Sequence, residues 1–181
     1  MDARIVLATV IGAYVVARVV ESIINRNHTR RVQEKGALAV RPDGFLGIAA
    51  VQALTLAGLI VEGFLWPGHE AILWVGTWPF LALAVLALVL RHWCIATLGE
   101  RWTFRVWILP SKPLVVRGPY RFLNHPNYVA VFLEYVAVPA AFGLWLTTLV
   151  VVPLGAATLL YRKRIEENAL RPFRLGNEKT G

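Results

Sequence analysis

Four long apolar stretches, separated by polar and mostly basic connections, set the pattern of the chain. Ile5 to Ile24, Phe45 to Trp66 and Ala71 to Leu90, the last extendable to Leu98, are each near span length; roughly twenty helical residues cross a hydrocarbon core of about 30 Å. The fourth stretch, Val129 to Tyr161, is too long for one ordinary span, and Pro139 followed by Phe142-Gly143 interrupts it. A break at membrane depth is tolerated only where protein or a watery cavity satisfies the freed backbone groups. A helical hairpin is therefore predicted. The expected fold is an all-α integral membrane protein of about five transmembrane helices, the last two paired, with residues 1–181 forming a single membrane domain.

Composition agrees with that pattern. Hydrophobic residues make up 57% of the chain and charged residues 17%, and the mean hydropathy is +0.56, well beyond a soluble domain of this size. The net charge of +8 is placed unevenly. Arg26, Arg30, Arg31, Lys35 and Arg41 fall between the first two spans, and Arg91, Arg101, Arg105, Lys112, Arg117 and Arg121 between the third and fourth. Arg162, Lys163, Arg164, Arg171, Arg174 and Lys179 follow the last, whereas the link Pro67 to Glu70 has neither lysine nor arginine. The positive-inside rule then puts the N-terminus outside and the C-terminus in the cytoplasm, with the Pro67 link outside. Charge distributed in this way points to membrane lipids as partners and not to nucleic acid, for which no fold pattern accompanies it. It leaves the oligomeric state open.

Smaller features exclude more than they propose. Arg4 precedes the first apolar stretch, but that stretch outruns a signal-peptide core and no small-residue cleavage site follows Ile24, so it is expected to be retained. Cys94 is the sole cysteine, which excludes an intrachain disulfide and a cysteine metal cluster; no metal site is expected. Asn27-His28-Thr29 spells a glycosylation sequon on the side where it would be idle.

The polar connection from Leu98 to Asn127 is far longer than a helix-to-helix link needs, and long structured loops tend to carry function. Its Arg101 to Trp107 segment alternates as an interfacial or extended strap, and Pro110, Pro113 and Gly118-Pro119 mark turns. Pro126 suits the first turn of the next helix, which places His125 at or near a helix N-terminus. Glu134 lies inside an apolar helix, where a carboxylate is costly and tends to have a role. Glu62, near the outer end of the second span, is expected to reach water and to be structural. Arg18 and Glu21 are spaced to pair on the first span, and Arg162 and Glu166 are spaced as a routine surface ion pair.

Gly118-Pro119-Tyr120-Arg121, then His125-Pro126-Asn127-Tyr128, and later Arg162 with Glu166-Glu167 before Leu170 together resemble the isoprenylcysteine carboxyl methyltransferase family of membrane enzymes. The resemblance covers roughly Arg91 to Leu170, and Leu98 to Tyr135 looks closest to a bacterial branch linked to alkylpyrone or alkylresorcinol-type lipids. Asn124 and Ala130 depart from the family pattern, as does the lack of a Gly-rich tail after Phe173, and these departures bear on a prenylcysteine substrate more than on the cofactor.

What the resemblance implies is a methyltransferase using S-adenosylmethionine (SAM), its cofactor held by cytosolic segments 98–128 and 162–175. His125 and Tyr128 would contact the cofactor, with Gly118, Pro119, Tyr120, Pro126 and Glu166 completing its site. Arg162 and Glu167 would be the catalytic pair, orienting the acceptor and the cofactor's charged end, while Glu134 and Trp102 would face a lipophilic small-molecule substrate. The expected reaction is methylation of a carboxylate or acidic hydroxyl. A phospholipid N-methyltransferase, an NADPH-dependent sterol-type reductase and a non-enzymatic membrane protein are the alternatives.

Overall fold

The computed structural model describes residues 2–68, 71–108 and 115–177, with side chains in the last helix described as far as Arg171. Lys112, Pro110, Pro113 and Lys179 lie outside the described residues, as does the side chain of Arg174. Five long helices make the fold: α1 (Ala3–Glu34), α2 (Phe45–Ile60), α3 (Thr77–Leu98), α4 (Pro126–Ala141) and α5 (Trp145–Asn177). A π-helical turn, Val61–Leu65, continues α2, and short 3₁₀ turns occupy Gly99–Arg101 and Gly118–Arg121. Two short strands, β1 (Leu38–Ala39) and β2 (Trp107–Ile108), pair antiparallel with Leu38 opposite Ile108. The strap expected near Trp107 is thus extended, and it stitches the long connection to the α1–α2 loop.

Four helical segments, Ala3–Glu34, Phe45–Leu65, Thr77–Arg101 and Trp145–Arg171, are long and apolar enough to cross a membrane. Their apolar side chains face outward: Val16 and Val19 on α1, Leu86 and Val89 on α3 and Leu149 on α5 are all exposed. Charged residues are found inside instead, with Glu21, Glu62, Arg91, Glu134 and Arg162 all buried. Lipid as solvent accounts for this inversion, since hydrocarbon welcomes valine and leucine and penalises an unpaired charge.

α4 is the central helix. It has 16 residues, about 24 Å at 1.5 Å per residue, less than a full hydrocarbon thickness. Ala130, Val131, Glu134, Tyr135 and the run Ala137 to Ala141 are all buried on it. Pro139 does not break α4; the helix continues to Ala141 and the chain reverses at Gly143, whose φ of 68° suits glycine. The Gly143 N–H bonds the Ala140 carbonyl and that of Leu144 bonds Pro139, closing the hairpin. Farther along, a β-carbon at Gly155 would come within 2.4 Å of the Tyr135 ring, so the glycine lets α5 lie close against α4.

Several boundaries differ from those the sequence predicts. α1 runs ten residues past Ile24 to Glu34, so Arg26, Arg30 and Arg31 are helical and the connecting loop is short. No glycine or proline interrupts residues 13–35, and a basic segment without a breaker simply extends the helix. α3 starts at Thr77, not Ala71, and the segment after Tyr161 continues α5 in place of a separate tail. Glu62 does not reach water. It is buried and accepts from the Leu146 N–H (3.0 Å), the Thr147 N–H (2.7 Å) and the Thr147 hydroxyl (2.6 Å), capping α5.

Candidate functional site

The two motif segments meet where α4 begins and α5 leaves the apolar zone. His125 is the N-cap residue of α4 and Pro126, buried, is its first helical residue. The His125 and Tyr128 rings stack in parallel, 5.3 Å apart with a 2° interplanar angle. His125 Nε2 lies 3.0 Å from Glu167 Oε1, and Nδ1 is 3.9 Å from Glu166 Oε2. The Tyr128 hydroxyl donates to Glu166 Oε2 at 2.5 Å and accepts from Arg162 Nε at 3.2 Å.

The spacing of Arg162 and Glu166 suggested a surface pair, yet Arg162 is buried and the Tyr128 hydroxyl sits between the two. Arg162 is also pressed by the turn before α2, where Gly44 has φ 70° and a β-carbon on it would lie 3.3 Å from the Arg162 β-carbon. Asp43 supports that turn by accepting from the Phe45 N–H at 3.1 Å.

The Gly-Pro-Tyr turn docks beside this cluster on α3. Gly118 has φ 57°, and a β-carbon there would come within 2.5 Å of Thr97 Oγ1 and 3.3 Å of Trp93 Nε1. Pro119 is buried, and Tyr120 hydrogen-bonds the Cys94 thiol. Burial pushes the Tyr120 phenol well above its ordinary pKa, with Cys94, Glu166 and Tyr128 adding to the rise. Tyr120 therefore feels the same carboxylate that Tyr128 binds, which makes the turn a wall of the cluster.

The other two expected residues lie elsewhere. Trp102 is buried against α1, its carbonyl 2.9 Å from His28 Nδ1 and its ring edge-on to His28 and Phe104. Glu134 belongs to a second charged group, 3.5 Å from Arg18 Nη1 and 3.8 Å from Arg91 Nη1. Within that group Glu21 accepts from Arg91 through both carboxylate oxygens, at 2.6 and 2.7 Å, and from Arg18 Nη2 at 2.9 Å. The Arg18–Glu21 pairing expected from spacing is present, with Arg91 as its larger partner.

Sequence patterns missed Asn127 in the first turn of α4, whose Oδ1 is buried with no hydrogen-bond partner. Its position inside the His-Pro-Asn-Tyr motif was the available signal. Thr97 and Trp93, which receive Gly118, carry no pattern of their own in an apolar span. Chemically the cluster offers a buried guanidinium, two carboxylates and an aromatic stack in one place. That is a set suited to a zwitterionic ligand carrying an additional positive centre.

Comparison with known proteins converges on the same region. The model of the isoprenylcysteine carboxyl methyltransferase (ICMT) family matches residues 80–172, which hold α3, the Gly-Pro-Tyr turn, α4 and the described part of the cluster on α5. The uncharacterized protein YpbQ of Bacillus subtilis is 27% identical over 164 residues, covering 90% of this chain and 95% of its own. An uncharacterized protein of Haemophilus influenzae is 31% identical over 96 residues, 50% of this chain and 53% of its own. No solved structure matches the chain significantly.

Proposed function

The chain belongs to the isoprenylcysteine carboxyl methyltransferase family, and on that premise we propose that it methylates an oxygen, a carboxylate or acidic hydroxyl, on a lipophilic acceptor dissolved in the bilayer. The family is one of SAM-dependent methyltransferases acting on membrane substrates. The observation that carries the finer proposal is the convergence of His125 and Tyr128 with Arg162, Glu166 and Glu167 across the α4–α5 hairpin.

The residues fit SAM. Its carboxylate suits the Arg162 guanidinium, its ammonium and ribose hydroxyls suit Glu166 and Glu167, and the unfilled Asn127 Oδ1 is an acceptor for an amine. When bound, SAM supplies a methyl on a sulfonium, transferred in one displacement to the acceptor oxygen. An aromatic face such as Tyr128 adds about 0.5–2 kcal/mol toward a nearby cation. An acceptor already ionised at neutral pH needs no strong general base, so the protein's part is to position and to exclude water. Arg162 and Glu167 orient the charged groups, and Tyr128, bonded to Arg162 and Glu166 together, fixes their separation.

Segments 98–128 and 162–175 form the donor site on the cytoplasmic side in this proposal, following the basic residues at that end. The likeness of Leu98 to Tyr135 to the branch associated with alkylpyrone-type lipids favours an acidic ring hydroxyl as acceptor. An amine acceptor would call for a free carboxylate base, and Glu134 is committed to Arg18 and Arg91.

Calorimetry of SAM binding to the detergent-solubilised protein, with NADPH as control, tests the proposal. His125→Ala and Tyr128→Ala should weaken SAM binding, while Arg162→Ala should depress transfer of labelled methyl into a membrane lipid extract more than it weakens SAM affinity. A folded protein that binds NADPH and not SAM would overturn it.

A further inference from the structure

α1 meets the bundle at its two ends and, between them, through Arg18 and Glu21 against Arg91 and Glu134, while its side toward α2 stands open. Near its start Leu7 fills the space that a side chain at Gly63 would need, since a β-carbon there would lie 2.5 Å from Leu7 Cδ2. Near its other end the Asn25 Oδ1 accepts from the Phe104 N–H at 2.6 Å, and Arg31 and Lys35 pair with Glu100. Between these anchors a cleft of about 640 Å³ opens between α1 and α2, a volume in the range of small-molecule sites.

The cleft is graded in polarity. Arg26, Asn27 and Ser22 line its end toward the basic side of the protein, and Val19, Ala53 and Leu56 line the walls. Arg18 and Tyr14 lie deepest, about 12 Å and about 18 Å along the helix from Arg26 at 1.5 Å per residue. Arg18 Nε and the Tyr14 hydroxyl are buried there without a hydrogen-bond partner, while Arg18 Nη1 lies 3.5 Å from Glu134 Oε2. At membrane depth an unmade hydrogen bond costs several kcal/mol, so unpaired donors on residues that line a cavity favour an acceptor there. No aspartate or glutamate lines the cleft. Behind it Arg18 and Arg91 are balanced by Glu21 and Glu134, so Arg26, which has no ion pair among the described residues, leaves the cleft net positive.

We infer that the α1–α2 cleft binds the oxyanion head of a long-chain amphiphile dissolved in the bilayer, a site separate from the donor cluster. α2 is the wall shared by cleft and donor cluster. Ala53 and Gln52 face the cleft, while the adjacent Val51 packs in the core with Val131, Tyr135 and Leu159, against which Tyr128 lies. At the start of α2, Gly44 touches Arg162 and Phe45 stacks on Phe104, whose N–H is tied to α1. An anion drawn from the bilayer to Arg26 and Arg18 is therefore held on the other side of α2 from Arg162, its chain still in lipid.

Photolabelling of the full-length protein in lipid nanodiscs tests this, with a diazirine-bearing long-chain alkyl sulfonate as probe. The expected result is labelling concentrated on residues 14–27 and 52–56, displaced at least about tenfold better by unlabelled alkyl sulfonate than by the alcohol of equal length, and unaffected by added phosphatidylglycerol. Ala53→Trp and Val19→Trp, both at exposed positions, should abolish it without changing calorimetric SAM binding. Arg26→Gln should erase the preference for the anion. Equal displacement by the alcohol, displacement by phosphatidylglycerol, or labelling spread over the lipid-facing surface would each overturn the inference. Anion-selective labelling in a folded protein that binds no SAM would leave this inference standing and remove only the methyltransferase proposal.

Discussion

Replacing Glu21 by glutamine removes one charge from the most buried ion pair among the described residues. Its carboxylate is 0% exposed and meets Arg91, 5% exposed, in two parallel bonds of 2.6 and 2.7 Å. Glu21→Gln substitutes an NH₂ for one accepting oxygen, so a donor faces a guanidinium donor. Two guanidinium groups are then left with the single carboxylate of Glu134, neither of whose oxygens makes a hydrogen bond. Breaking a buried pair from one side costs about 3–5 kcal/mol, and at roughly 2–4 °C per kcal/mol for a chain of this size the melting temperature should fall by about 6–20 °C. The buried thiol of Cys94, reacted with a fluorogenic maleimide during heating, reports the transition. The double variant Glu21→Leu with Arg91→Met removes one charge of each sign, leaves Arg18 with Glu134, and should recover most of the loss. A single variant that melts with the parent, or a double variant as unstable as the single, would refute the argument.

Three further outcomes follow from local geometry. Gly118→Ala must hold alanine at φ 57° with its β-carbon 2.5 Å from Thr97 Oγ1; a loss of about 1–3 kcal/mol in thermal unfolding and weaker SAM binding are expected, with Thr97→Ala relieving only the contact and not the backbone strain. Glu62→Ala strips three hydrogen bonds from the start of α5 and should cost about 2–4 kcal/mol by the same melt, Glu62→Gln less. Tyr120 has its pKa raised in the fold, so its contribution to stability is complete below the unfolded value of about 10 and is lost as pH rises from there toward the folded value. Tyr120→Phe should accordingly flatten part of the alkaline decline in melting temperature followed by tryptophan fluorescence; an unchanged slope would contradict the shift.

Legibility from sequence divides along the range of the interaction. Local signals were readable: the apolar run behind α2, the proline that starts α4 at Pro126, and the Phe142-Gly143 interruption that became the hairpin turn. Each is set by a few neighbouring residues. The Arg91–Glu21 bridge spans 70 positions; from sequence Glu21 pairs only with nearby Arg18 and Arg91 counts among the basic residues after the third stretch, so this long-range partner was not legible. Glu62 failed for the same reason, because its acceptors' partners lie on α5, and the rule that a carboxylate near a helix end finds water gave way to helix capping. For Arg162 and Glu166 the spacing alone suggests a surface pair, whereas a tyrosine from α4 places its hydroxyl between them, a contact no local rule could supply.

The division of labour along the chain follows from the same geometry. The family-matched residues 80–172 contain the whole His125, Tyr128, Arg162, Glu166 and Glu167 cluster, whereas the cleft is built by α1 and α2, which precede them. The two parts are joined at membrane depth by one network, with Arg18 and Glu21 from α1 against Arg91 on α3 and Glu134 on α4. A buried network fixes position because every alternative arrangement leaves a charge unpaired. It thereby holds α1 at a set distance from α2 in the stretch where few apolar contacts do so, and that distance is the width of the cleft. Substitutions at Ala53 or Val19 should change which amphiphile is held and leave donor binding alone, while substitutions at Arg91 or Glu21 should loosen the cleft as a whole.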